Sequence, residues 1–352
     1  MTSQTSPGSG YASSGSGAWT EPGAYEVAPG VHRVPLPLPN DGLRAVNVYV
    51  LATDDGLVLV DAGWAIPESK ALLVQALEQI GASLSDVRRF LVTHVHRDHY
   101  TQAVDVRREF GASVGLGIGE RPTMELVQRH DRGPMEVQIA QLRALGAGPV
   151  ADELSALVAD HEIDRTNWEF PDEWLTEGPL HLPGGRTLEA VATPGHTAGH
   201  LVFHDLAGEL LFAGDHVLPT ITPSIGFEPV LSPDPLGAFL HSLAIVRARP
   251  DALLLPAHGA VAPSVHARVD ELVDFHGRRL DQTERAVLGG AVTPAEVAAQ
   301  LTWTRREHRL VDLDVFNSML AVFETGAHLV LLAAQGRLTR GTLDGVDAYS
   351  PA

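Results

Sequence analysis

Four residues within one short segment have side chains that bind metal ions: His94, His96, Asp98 and His99, in the run Thr93-His94-Val95-His96-Arg97-Asp98-His99. Two histidines separated by one residue at a strand tip point the same way, so both can reach one metal ion. Asp98 and His99 lie on the turn that follows and point to a second position a few ångströms further on. The chain has no cysteine and 17 histidines, which excludes thiolate sites, disulfides and cysteine nucleophiles. A metal here must be held by imidazoles and carboxylates.

The elements before and after this run position it. Val87 to Val92 is an apolar strand running straight into it, and Asp98 to Phe110 reads as a helix ended by Gly111. The ligands therefore stand at the carboxyl end of a strand, where open α/β layers place their sites. The same arrangement recurs along the chain. Asp61 follows Leu57–Val60, and His196 sits in the turn Thr193-Pro194-Gly195-His196-Thr197-Ala198-Gly199-His200. Asp215 follows the apolar run before Gly214, and His258 follows Leu255-Pro256-Ala257. Five strand ends thus each deliver a metal-competent residue. Asp61 by itself reads equally well as a turn-capping carboxylate.

These motifs, in this order, resemble those of the metallo-beta-lactamase superfamily over about Tyr25 to Gly259: the Asp61 strand end, the H-x-H-x-D-H loop of His94 to His99, then His196, Asp215 and His258. The resemblance implies a dinuclear site. In it His94, His96 and His196 bind a first metal, Asp98, His99 and His258 bind a second, Asp215 bridges them, and Asp61 orients the ligands from outside. It also implies hydrolysis by a water shared between the metals, with Asp98 and Asp215 as catalytic carboxylates. Two divalent ions are expected, zinc first, with iron or manganese suited to the carboxylate-richer position.

The implied fold is α/β: an αββα sandwich of two mixed sheets with helices outside. It agrees with the order of apolar strands and amphipathic helices. Residues 21–261 form this domain, and a charged helical stretch at about 119–178 reads as an insertion. Trp168, Phe170 and Trp174 near its end are expected to form an apolar lid over the metals. Residues 262–352 are helix-rich, with a capping box at Thr293-Pro294-Ala295-Glu296 and a short strand at Arg337 to Arg340, and fit a small winged-helix-like domain. Residues 1–20, rich in Ser and Gly, read as a disordered leader with no signal-peptide pattern.

Beside the ligand run stands Tyr100, where most members of the family carry a small residue. Its hydroxyl either addresses the substrate or packs under the helix. His200 and His204 read as packing residues, with His200 the alternative support for the site. His216 lines the pocket or packs, and the remaining histidines read as surface or packing residues.

A net charge of -19, with Lys70 the only lysine, disfavours nucleic acid as a partner. Composition is otherwise that of a folded globular chain, and the apolar runs read as too short to cross a membrane. A cytoplasmic location follows by default. The turn around His196 resembles the glyoxalase-II-like branch, so the expected substrate is a small acyl compound, a thioester, ester or lactone. Arg305, Arg306 and Arg309 are candidates for binding an anionic leaving group or, more simply, a solvated helix face. The competing expectation is a ribonuclease or phosphodiesterase. There the tail, with Arg278, Arg279 and Arg285, guides a nucleic-acid strand, although Asp270, Glu271, Asp274, Asp281 and Glu284 lie among them. As a non-enzymatic module, the acidic tail suits covering the sandwich and mediating a homodimer better than binding DNA.

Overall fold

The structure is a computed structural model that describes residues 18–39, 41–304 and 306–352. The expected leader lies almost wholly outside these residues, as does Arg305.

The chain opens with strands β1 (Tyr25–Ala28), β2 (Val31–Pro37), β3 (Ala45–Thr53) and β4 (Gly56–Val60), each antiparallel to the last. Helix α1 (Pro67–Gln79) leads to β5 (Val87–Val92), and α2 (Arg97–Phe110) leads to β6 (Ser113–Gly117). Three helices follow, α3 (Arg121–Val127), α4 (Glu136–Ala144) and α5 (Gly148–Val158), and then β7 (Glu173–Leu175). Strands β4 to β7 are mutually parallel and complete a seven-stranded sheet in the order β1 to β7.

The second sheet is built from β8 (Gly178–His181), β9 (Thr187–Ala192), β10 (Leu201–Asp205), β11 (Leu210–Gly214) and, after α6 (Pro235–Arg247), β12 (Leu253–Pro256). Its order is β12-β11-β10-β9-β8, with only the β11–β12 pair parallel.

Side-chain alternation explains why the sheets stack. On β4, Val58 and Val60 pack against Leu188, Phe203 and Phe212 of the other sheet. Leu57 and Leu59 on the opposite face pack with Leu73 and Leu77 of α1 and Val104 of α2. On β11, Leu210 and Phe212 point to the inter-sheet core, while Leu211 and Ala213 point outward to Phe239 and Leu243 of α6. The result is the expected αββα sandwich.

The last stretch holds α7 (Val265–Leu288), α8 (Pro294–Gln300), the short ribbon β13 (Thr302–Trp303) and β14 (His308–Arg309), α9 (Val315–Ala334) and the hairpin β15 (Leu338–Leu343) and β16 (Val346–Pro351). The capping box at Thr293 is formed, with Glu296 accepting from the backbone of Thr293 and the Thr293 hydroxyl accepting from that of Glu296. Where one short strand is expected at Arg337 to Arg340, the structure has a full hairpin. Its two-residue turn, Asp344-Gly345, has both φ values positive (52° and 83°), which suits the twist of adjoining strands.

The insertion differs from its expected helical character at its end, because β7 pairs with β6 and extends the first sheet. Helices α4 and α5 share a single buried cluster with α6, α7, α8 and α9, so sheet, insertion and tail are packed together. Helix α9, at 20 residues, is long and apolar enough to cross a bilayer by length and composition, contrary to the expectation from short apolar runs; 67% of that stretch is buried inside the fold.

Candidate metal centre

The ligand loop is held before any metal is considered. Asp61, at the end of β4, adopts a left-handed backbone (φ 60°) that turns its carboxylate back toward β5. There Oδ1 accepts from the Thr93 amide at 2.8 Å and the Thr93 hydroxyl at 2.9 Å, and Oδ2 accepts from Nδ1 of His99 at 2.9 Å.

Each of the five histidines has one ring nitrogen engaged by an acceptor outside the cluster. His94 Nδ1 donates to the Thr93 hydroxyl at 3.0 Å, His99 Nδ1 to Asp61, His196 Nδ1 to the Ser224 carbonyl at 2.8 Å, and His258 Nδ1 to the Ala45 carbonyl at 2.7 Å. His96 is reversed, with Nε2 donating to Glu228 at 2.9 Å. These bonds turn the second nitrogen of every ring inward, where it is free to ligate once any proton it carries is displaced.

The inward atoms form two groups. His94 Nε2 and His196 Nε2 lie 3.0 Å and 3.2 Å from His96 Nδ1. Donors at ~2.0–2.1 Å from one tetrahedral zinc stand roughly 3.3 Å apart, so this spacing fits a shared ion. In the second group, His99 Nε2 and His258 Nε2 lie 3.5 Å and 3.4 Å from Asp98 Oδ2. Asp215 reaches both groups, with Oδ2 3.5 Å from His196 Nε2 and Oδ1 3.3 Å from His258 Nε2. His99 Nε2, His258 Nε2 and Asp215 Oδ1 are buried and have no hydrogen-bond partner among the described residues. Orphaned buried donors and acceptors cost ~1–3 kcal/mol each, and a cation between them removes that cost. The residues present therefore fit divalent metal ions.

Electrostatics agree. Burial, with the neighbouring imidazoles, holds His94 well below the ordinary histidine range, and burial lowers His196 to about 4. Both are neutral and free to ligate near pH 7. Burial also opposes charge on His99, yet Asp98, Asp61 and Asp215 outweigh it and push this group up to about 10. The carboxylates thus favour positive charge in the second group.

Two glycines are needed for close approach. Gly195 (φ 140°) turns the chain into His196, and a Cβ there would meet the Phe239 backbone at 2.5 Å. Gly214 (φ 51°) lets β11 pass beside the imidazoles, and a Cβ there would lie 2.7 Å from His200 Nε2.

The structure brings together all seven expected ligands, His94, His96, Asp98, His99, His196, Asp215 and His258, with Asp61 behind them. Tyr100 is corrected. Its ring is fully buried, stacks on Trp168 at 6.3 Å, and its hydroxyl donates to the Glu169 carbonyl at 2.6 Å. One residue beyond His99 on a helix, it is turned ~100° away and packs between α2 and the insertion. The expected lid is corrected with it. Trp168 and Trp174 pack into the cluster behind the first sheet and Phe170 lies against Trp174, so the three rings gather around α2 and β7.

His200 does support the site: it accepts from the Asp215 amide through Nε2 at 3.1 Å and reaches the Thr193 hydroxyl through Nδ1 at 2.8 Å. His216 packs against Phe239 and His204 meets Arg249. In the tail, Arg279 is stacked over Trp303 at 4.0 Å and donates to the Thr302 carbonyl. His276, Glu324 and His328 lie together in the core, where His276 Nδ1 and His328 Nε2 share a hydrogen bond of 3.2 Å that joins α7 to α9.

Sequence reasoning missed Glu228 and Glu120. Glu228 receives His96 and also the Thr123 hydroxyl at 3.3 Å. Glu120 receives the Thr197 hydroxyl, and burial, then the Glu228 charge, push it well above the usual carboxylate range. A carboxylate within the apolar run Gly226-Phe227-Glu228-Pro229 is the one signal that pointed there. A cavity of about 250 Å³ adjoins this corner, lined by Pro194, His196, Gly226, Glu228, Leu231 and Pro235 among others.

Comparison with known proteins agrees with this geometry. The probable metallo-hydrolase YqjP of Bacillus subtilis (strain 168) is 26% identical over 317 residues, covering 87% of this chain and 92% of that protein. An atrochrysone carboxyl ACP thioesterase of Aspergillus fumigatus is 24% identical over 245 residues, 69% of this chain and 44% of that one. The chain spans about half the length of the fungal lactamase-like relatives it matches. A crystal structure of a beta-lactamase domain protein from Burkholderia ambifaria superposes with a TM-score of 0.78 at 26% identity, covering 97% of each chain. The profile of the metallo-beta-lactamase superfamily matches residues 41–258, more than half of the sequence. With its fold, its ligand loop and this match, the chain belongs to the metallo-beta-lactamase superfamily.

Proposed function

We propose that this protein is a dinuclear metal-dependent hydrolase of acyl substrates, thioesters before esters and lactones. The observation that carries the reading is Asp215, whose two oxygens face the two separate donor groups. Bound there, two divalent ions, zinc by the character of the donors, supply an acidified water and a Lewis acid for the carbonyl.

The chain's own residues do the rest. The hydrogen bonds from Thr93, Asp61, Ser224, Ala45 and Glu228 orient the ligand rings before substrate arrives. Asp98 has the more accessible side chain of the two candidate ligand carboxylates, 13% against 8% for Asp215, which favours it as the group that takes a proton from water. In the reaction the water oxygen bonds to the acyl carbon and the carbon–sulfur bond breaks. The leaving sulfur takes up that proton, giving a thiol and a carboxylic acid, which releases water's second proton to solvent as the carboxylate.

The thioesterase name of one relative supports this substrate class. Against nucleic acid stand the net charge of -19 and the engagement of Arg279 within the core. The test is a panel of thioesters, lactones and RNA offered to the zinc-loaded protein, with His96→Ala as control. Thioester cleavage abolished in the control is expected. Cleavage of RNA with the acyl panel untouched contradicts the reading.

A further inference from the structure

Helix α9 begins beside Phe227, which in turn lies against His96 of the ligand loop. Its second residue, Phe316, stands with its ring centre 5.9 Å from that of Phe227, and Phe227 lies 6.1 Å from the ring of His96, each pair inclined at 68°. Three rings thus run edge to face from a metal-binding imidazole to the surface, at spacings typical of favourable aromatic pairs. Phe316 is 46% exposed, so part of its ring is free of protein cover.

The segment carrying Phe227 is held in place from the other side. Gln138 donates to the Phe227 carbonyl at 3.2 Å, Gln141 to that of Gly226 at 3.3 Å, and Gly226 passes close to Phe323 of α9. The wall is therefore preorganised. It is also neutral. Asp314, two residues before Phe316, is engaged by the amide and side chain of Asn317, and the adjoining cavity is lined by Val230, Leu231 and Pro235 with no lysine or arginine. The nearest cation of the ligand loop, Arg97, is stacked over Trp64 at 4.3 Å and paired with Asp41 at 3.4 Å.

We infer that Phe227 and Phe316 form the acyl-binding wall of the site and select substrates whose acyl group carries an aromatic ring next to the scissile carbonyl. The inference rests on the acyl-hydrolase reading and sharpens it. A carbonyl held between the two donor groups would lie near His96, and a substituent directed outward past that ring would meet Phe227 first and Phe316 beyond it. A planar ring extends along this wall toward Phe316, whereas an acetyl group does not. A polar leaving group such as a pantetheine arm gains nothing from this wall. The tail thereby contributes directly to specificity.

The test uses the zinc-loaded full chain with 2-naphthoyl and acetyl thioesters of N-acetylcysteamine. Phe316→Ala lowers the naphthoyl-to-acetyl ratio of kcat/KM by roughly three- to tenfold, chiefly through KM, and Phe316→Trp retains the ratio. An unchanged ratio in Phe316→Ala overturns the inference. If neither thioester is cleaved, the acyl-hydrolase reading fails on its own, and the wall is judged by calorimetric binding of 2-naphthoate and acetate. Tighter binding of naphthoate, weakened three- to tenfold in Phe316→Ala, supports it; equal binding of the two, or no change in the variant, overturns it.

Discussion

The carboxylate of Asp61 accepts a hydrogen bond from Nδ1 of His99 at 2.9 Å, across the ring from the Nε2 that faces Asp98 and Asp215. Replacing Asp61 with Asn turns an amide NH₂ or a single oxygen toward three donors, two of Thr93 and one of His99, that one carboxylate now satisfies. His99 then favours the tautomer with its proton on Nε2, where a ligand lone pair is needed. Asp61→Asn is expected to weaken metal binding about 10- to 100-fold, measured by competition with a chromogenic chelator. Wild-type affinity in the variant contradicts this role.

Glu228 acts on His96 in the same way from the opposite side of the site. Glu228→Ala leaves His96 Nε2 without its acceptor and is expected to cost about 10- to 100-fold in metal affinity. Glu228→Gln keeps an acceptor oxygen and is expected to lose less. Equal losses in the two variants, or none in either, contradict the assignment, and chelator competition reads both.

Tyr100→Phe removes the bond to the Glu169 carbonyl and nothing at the metals. About 1 kcal/mol of stability is expected to be lost in denaturant titration, with kcat/KM within about twofold of wild type. A fall in kcat of a hundredfold in a stably folded variant restores the hydroxyl to the chemistry.

The candidate ligand set was legible because its members follow apolar strands, and four of the seven lie in one short segment. Strand alternation likewise revealed the sandwich, since Val58 and Val60 must face one way and Leu57 and Leu59 the other. What the sequence concealed depends on distant contacts. Glu228 meets His96 across 132 residues, and nothing local to either announces the other. Tyr100 was ambiguous because its role depends on which side of α2 it faces. The aromatic lid was misplaced because β7, too short at three residues to register as a strand, draws Trp174 to the edge beside Leu116.

The His276–His328 pair makes the tail acid-sensitive. Burial, with Arg279 adding to it, lowers His276 to about 4, and burial, then His276, lowers His328 to about 3. An unfolded histidine titrates near ~6.5, so on acidification the unfolded chain gains protons first. The stability these groups contribute is full above pH ~6.5 and falls as the pH drops toward their folded values. Thermal melts of the metal-saturated protein from pH 8 to pH 4 are expected to show a steeper fall for wild type than for His276→Asn. Parallel curves contradict the pair's role.

Two donor groups joined by Asp215 are proposed to hold two divalent ions. Elemental analysis of the full chain, purified without chelator and saturated with zinc before desalting, tests it most directly. Two ions per chain are expected in wild type, with a loss of bound metal in a folded Asp215→Ala variant. Wild-type protein that retains no transition metal contradicts it.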